Sequence, residues 1–192
     1  MTRNPPGVGH RVLVVDVKPR RMGFAIMETP SVRLLDFGIA RVHSPPAGMR
    51  RVAALISRFG PVVIVVRKIG RRSRRNQRLM RAILRLISQG ADHSSIKVAV
   101  VDERQVKFSL GGNRLTKHEV ASLLSRAFPE LSWKLPQPRK SWQTERWNML
   151  IFDTVALGVA YLASRNDESM IHKLQVAKEE SFRRSLGGVA RT

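Results

Sequence analysis

Apolar positions along this chain fall into two rhythms. Val12 to Asp16, Met22 to Glu28 and Val62 to Val66 are short apolar runs that stay unbroken almost to their ends, the pattern of strands buried on both faces. Val32 to Val42 and Ile96 to Val101 complete five strand-like segments. Val12 to Asp16, Met22 to Glu28 and Val32 to Val42 are joined by short links, one of them Thr29-Pro30-Ser31, which predicts an antiparallel meander. The second rhythm is helical. Val52, Leu55, Ile56 and Phe59 share one side of Met49 to Phe59, which Gly60-Pro61 ends. Leu79, Ile83, Leu86 and Ile87 form one stripe on Ser73 to Gln89, with Gly90 as its expected stop. Leu115 to Phe128 reads as a helix with Thr116 and Glu119 spaced as a capping box. Trp133 to Ser141 reads as a basic, proline-bearing loop. Thr144 to Ala163 is the most apolar helix, packed on both sides, and Met170 to Phe182 a short surface helix.

The order βββαβαβα predicts an α/β fold: a five-stranded mixed sheet with flanking helices, parallel among its later strands. Its 192 residues suffice for one well-buried domain, expected over 11–165. Residues 1–10, with Pro5, Pro6, Gly7 and Gly9 and no apolar core, read as an N-terminal arm rather than a signal peptide. Residues 166–192 read as a C-terminal helix and tail.

Charge changes the picture most. The formal net charge is +21, an excess that attracts polyanions at long range. Nucleic acid is the first candidate partner and an anionic membrane surface the alternative, although no apolar segment is long enough to span a bilayer. With no cysteine, disulfides and thiolate zinc sites are excluded. The five histidines have no mutual ligand spacing. Low aromatic content argues against a single-strand binder that works by stacking. From Arg67 to Arg85 there are nine basic residues and no acid, a one-signed run that favours phosphate binding over an ordinary mixed surface. A second patch combines Arg139, Lys140 and Arg146 with Trp133, Trp142 and Trp147. Those tryptophans read either as contacts to backbone and bases or as a cover for the core.

Asp16 stands where the first apolar run meets a basic turn, Lys18, Pro19, Arg20 and Arg21. A strand-ending Asp is by itself an ordinary turn former. In context, Val14-Val15-Asp16 with Lys18 to Gly23 resembles the opening strand, catalytic Asp and second strand of the RuvC family of Holliday junction resolvases, in the RNase H-like superfamily. Arg104-Gln105-Val106-Lys107, Gly111-Gly112-Asn113-Arg114 and Lys117-His118-Glu119-Val120 resemble a further segment of that family in order and spacing. Asp153-Thr154-Val155-Ala156-Leu157 is similar to its closing helix motif. Together these span roughly Arg11 to Leu162.

The resemblance implies four acidic residues around divalent ions, and this chain matches two of them. Asp16 and Asp153 fall in place as metal and catalytic residues. Arg67 stands where the second acid, a Glu ending the fourth strand, is expected, and Leu150 where the third is. Two-ion phosphodiester hydrolysis needs hard oxygen ligands around ions about 3.5–4 Å apart. Arg67 at such a site would oppose a metal, or would pair with Asp16 or Asp153 in its stead. Asp102-Glu103-Arg104 resembles a motif of the related YqgF family, which makes Glu103 a replacement acid. Glu145, about 12 Å along the helix from Asp153, is discounted.

The leading expectation is a RuvC-like protein that binds duplex or branched nucleic acid, DNA ahead of RNA, with weak or no nuclease activity. Its binding set would be Arg67, Lys68, Arg71, Arg72, Arg74, Arg75, Arg78, Lys107, Arg114 and Lys117. The alternative is an active endonuclease using Mg²⁺ or Mn²⁺ through Asp16, Glu103 and Asp153, with Lys68 or Lys107 neutralising the phosphate. A basic RNA-binding or ribosome-assembly factor is a third reading. The resemblance also implies a homodimer, and the partners place the protein in the cytoplasm, nucleoid-associated and away from membranes.

Overall fold

Five strands in the spatial order β3-β2-β1-β4-β5 make the sheet of this computed structural model. The structure describes residues 9–68, 74–93, 96–112, 115–139, 142 and 144–187, with 74–80, 91–93 and 181–187 described by backbone alone. Of the expected N-terminal arm, residues 1–8 lie outside the described residues. β1 (Arg11–Lys18), β2 (Arg21–Glu28) and β3 (Arg33–Arg41) form the antiparallel meander, while β4 (Val63–Arg67) and β5 (Lys97–Val101) pair in parallel with β1 and with each other. The predicted five-stranded mixed sheet, with its antiparallel meander and later parallel strands, is therefore observed, and the structure adds the spatial order of the strands.

Alternation along the strands splits the core in two. Val12 and Val14 of β1, with Val63 and Val65 of β4, face a layer made by α3 (Glu103–Leu110), α4 (Lys117–Ala127), α5 (Met149–Ser164) and α6 (Glu168–Gly187). Leu13, Val15 and Val17, with Ile64 and Val66, face α1 (Pro45–Phe59) and α2 (Arg74–His93) through Val52, Leu55, Ile83 and Ile87. A central sheet buried on both faces explains why its strands read as unbroken apolar runs.

α5 is the helix that carries Asp153, and it lies close against β1 and β2. A side chain at Gly23 would strike the Thr154 hydroxyl and the Leu150 carbonyl of α5. One at Gly158 would strike Met27 and Val14. These two glycines let the helix backbone approach the sheet, which brings Asp153 toward the end of β1.

Several helix bounds differ from expectation. α1 begins at Pro45, because the Ser44 hydroxyl accepts from the Ala47 N–H at 3.4 Å and proline suits a first helical turn. α2 runs through Gly90 to His93. α3 was not expected: Asp102 and Gln105 form a capping box that turns the end of β5 into a helix start. Thr116 and Glu119 make the predicted box on α4. α5 starts at Met149, five residues after Thr144. α6 is longer than the expected surface helix, and its Met170, Leu174 and Ala177 are buried in the α4–α5 core. Lys173 ties it down by donating to the Val32 carbonyl at 2.8 Å.

Candidate functional site

Strand parity builds the site. Asp16 follows Val12 and Val14 at intervals of two and so faces α5; Arg67 follows Val63 and Val65 and faces the same way. The parallel register pairs Val14 with Val65 and Val15 with Val66, so the next step on each strand sets Asp16 beside Arg67. The Arg67 Nε donates to Asp16 Oδ2 at 2.9 Å, and its Nη2 donates to the main-chain carbonyl of Asp153 at 3.2 Å. Lys18, two residues after Asp16 on the same face, brings its Nζ to 3.4 Å from the same Oδ2. Asp16 is fully buried, and its Oδ1 has no hydrogen-bond partner among the described residues.

Asp153 forms the second half. Its Oδ2 lies 3.6 Å from the Nζ of Lys117, which donates to both carboxylate oxygens of Glu145 at 2.8 and 2.9 Å. Burial pushes the Asp153 carboxyl above its ordinary value; Lys117, Lys18 and Arg67 offset this only in part, and the neighbouring Asp16 adds to it. For Lys117, burial acts to lower the ammonium, but Asp153 and Glu145 outweigh it and leave it raised.

A cleft of about 320 Å³ opens over this arrangement. Lys18, Arg67, Lys107 and Lys117 line it together with Glu103 and Asp153, over an apolar floor that includes Met149 and Phe152. Asp16 does not line it: Arg67 and Lys18 lie between its carboxylate and the opening.

The structure thus brings Arg67, Asp153, Lys107, Lys117 and Glu103 to one cleft, with Asp16 buried beneath Arg67 and Lys18. Glu103 is the first residue of α3, 72% exposed and 3.1 Å from Lys107 one helical turn on. Lys68 lies just beyond β4, where its N–H extends the pairing to the Val101 carbonyl. Arg71, Arg72 and Arg114 lie outside the described residues, and Arg74, Arg75 and Arg78 sit on the first part of α2, their side chains outside the description. Two contributors were missed in the sequence. Lys18 was legible from its two-residue spacing to Asp16. Glu145 was discounted as a ligand and instead holds Lys117, a contact across 28 residues that no local pattern reveals.

The divalent ions implied by the sequence resemblance do not fit this donor set. One oxygen of Asp16 is taken by a guanidinium and an ammonium, and the other is shut off from the cleft. Four cations already line the opening. Among the described residues, no group of three or more His, Asp or Glu could hold an ion. What the cleft offers is cationic N–H groups around a partly buried carboxylate, a surface suited to anionic oxygens at its rim. The tryptophans are exposed rather than a cover for the core.

No family model and no curated protein matches the sequence. Solved structures do share its fold. Thermus thermophilus RuvC in complex with a Holliday junction substrate superposes with a TM-score of 0.61 at 20% identity, over 82% of this chain and 97% of that one. The fowlpox virus resolvase in complex with Holliday junction DNA gives 0.53 at 18% identity, over 80% and 99%. The yeast mitochondrial Holliday junction resolvase Ydc2 gives 0.56 at 12%, over 88% and 84%. The chain therefore has the RNase H-like fold of the RuvC-type resolvases.

Proposed function

We propose that the protein binds branched or duplex DNA, in preference to RNA, as a RuvC-like recognition module with little or no phosphodiester hydrolysis of its own. The observation that carries this is the Arg67 guanidinium on Asp16, which sets a fixed cation where hydrolysis would need an ion. The net charge of +21 supplies the attraction to a phosphate backbone. The likeness in fold to resolvases solved on Holliday junction DNA supports a junction as the preferred form.

In this reading Lys18, Lys107 and Lys117 take phosphate oxygens at the cleft, and Arg67 holds Asp16 while presenting its outer edge. Lys68, Arg71, Arg72, Arg74, Arg75, Arg78 and Arg114 extend the footprint along the backbone. Two copies of the chain on the two symmetric strands of a junction, in the cytoplasm at the nucleoid, complete the picture. A second reading has one observation in its favour: the unpartnered Oδ1 of Asp16. If Arg67 and Lys18 swing aside, Asp16, Asp153 and Glu103 become three carboxylates for Mg²⁺ or Mn²⁺ and an active endonuclease.

The deciding experiment incubates the purified protein with labelled four-way junctions and linear duplexes, with Mn²⁺ and with EDTA. Junction-preferring binding that persists in EDTA, without cleavage in Mn²⁺, is the expected result. Paired nicks that require metal and vanish in Asp16→Asn would establish the endonuclease instead.

A further inference from the structure

The chain has three tryptophans, all within the 15 residues from Trp133 to Trp147. Large aromatic side chains are usually mostly buried, because each removes a large apolar area from water. Here Trp133, Trp142 and Trp147 are 72%, 75% and 60% exposed. None of them belongs to the core, in which the nearby Phe128, Leu131 and Phe152 are buried.

Their placement is not random relative to the cleft. Asn148 Nδ2 donates to the Lys134 carbonyl at 2.6 Å, so the chain next to Trp133 is tied to the chain next to Trp147. Glu145, two residues before Trp147, is held by Lys117, and Met149, two residues after it, lines the cleft. On the α3 side, Phe108 is 87% exposed and adjoins Lys107, another lining residue. Exposed rings thus sit within two residues of cleft residues at two places, on α3 and just before α5.

Charge selects the occupant. Segment 133–147 carries Lys134, Arg139, Lys140 and Arg146 against one acid, Glu145, which Lys117 already neutralises; of these, Lys140 lies outside the described residues. The Lys134 ammonium stands 3.7 Å from the Trp133 ring centre. Aromatic faces among cations fit nucleobases, which stack on rings while their phosphates meet the charges. An acidic or apolar protein surface has no comparable use for both.

We propose that Trp133, Trp142 and Trp147 form a stacking surface for unpaired bases of the nucleic acid held at the cleft. It rests on the nucleic-acid reading above and adds to it a preference for strands with unstacked bases, such as those at a branch point or bulge. Overall aromatic content is too low for a general single-strand binder, but concentration of every tryptophan in one basic stretch of the chain makes a local one.

Because the chain has no other tryptophan, its intrinsic emission reports this surface alone. The experiment titrates the full chain with a blunt duplex, the same duplex carrying an unpaired-base bulge, and phosphatidylglycerol vesicles, following emission and affinity together. The bulged DNA is expected to quench the emission, and the blunt duplex to bind with far less quenching. Trp142→Ala with Trp147→Ala should weaken bulged DNA roughly 5- to 150-fold per lost stacked base, with blunt duplex affinity nearly unchanged. Trp142→Phe with Trp147→Phe, which keeps the rings, should recover most of that loss. Equal affinity of the alanine variant for both DNAs at wild-type strength, without quenching in the wild type, overturns the stacking surface and leaves duplex binding intact. An emission response to vesicles and none to DNA overturns it in favour of a lipid surface. Failure to bind either DNA at all removes the nucleic-acid reading itself.

Discussion

A guanidinium and a divalent ion make opposite demands on a carboxylate. The ion needs several anionic oxygens converging on one point, whereas Arg67 needs one oxygen of Asp16 and a carbonyl from α5 at the right angle. The pair is mostly buried, so removing one partner leaves an uncompensated charge. Arg67→Met is expected to lower stability by about 3 kcal/mol, moderated by Lys18, whereas Arg67→Met with Asp16→Leu should come close to wild type. Urea unfolding of the two variants checks this; equal losses in both would mean the pair does not hold the site. Asp153 makes a second prediction. Its native carboxyl is raised above the ordinary 3.8 by burial, so the folded chain binds its proton more tightly than the unfolded chain. Its contribution to stability therefore falls as pH rises from 3.8 through the raised native value. Asp153→Asn removes that slope: its melting temperature should match wild type in acid and gain on it as pH rises toward neutral. A difference that is the same at every pH would show that the charge is not the cause.

At the scale of the elements, what decides the site is parity and close approach. A two-residue repeat sends Asp16, Lys18 and Arg67 to the face that α5 covers, and that much could be read from the apolar runs. The close approach depends on Gly23 and Gly158, each of which is a single residue whose reason lies on another element. α3 shows the limit of periodicity. Val106 and Leu110 are its inward positions, too few for a helical stripe, and the capping box from Asp102 to Gln105 was the readable signal. Gly90 shows the reverse case. A glycine costs a helix interior roughly 1 kcal/mol, which packing outweighs when the two preceding turns bury Ile83 and Ile87.

On the scale of the whole molecule, the charge of +21 governs encounter with a partner more than stability. The proposed binding of phosphates by the basic run from Arg67 to Arg85 and the cleft cations predicts that affinity for DNA falls steeply with added salt. Changing Arg71, Arg74, Arg75 and Arg78 together to Glu is expected to abolish binding near physiological salt. Replacing the same four by Gln should flatten the slope of log K against log salt by about 3 to 4, since each B-DNA contact contributes roughly 0.9. Titrations at four salt concentrations measure it. An unchanged slope would place the DNA on another face.

The succession of strands along the chain and the opening meander were determined by the sequence alone, because a strand buried on both faces must be apolar throughout and a meander needs only short links. The two carboxylates were legible for the same reason: a charged residue ending such a strand, or set in the most apolar helix, has to be accounted for. The sequence also set Arg67 one step past Val66, with a metal-opposing or an Asp-pairing role both open. Only the tertiary structure chose between them, since the parallel register of β1 and β4 sets Arg67 beside Asp16 and α5 supplies the carbonyl that fixes its second nitrogen. It also decided the fate of the tryptophans. Whether an aromatic residue covers a core or faces water depends on what the rest of the chain brings to it, and here Phe128, Leu131 and Phe152 are buried while the three tryptophans are exposed.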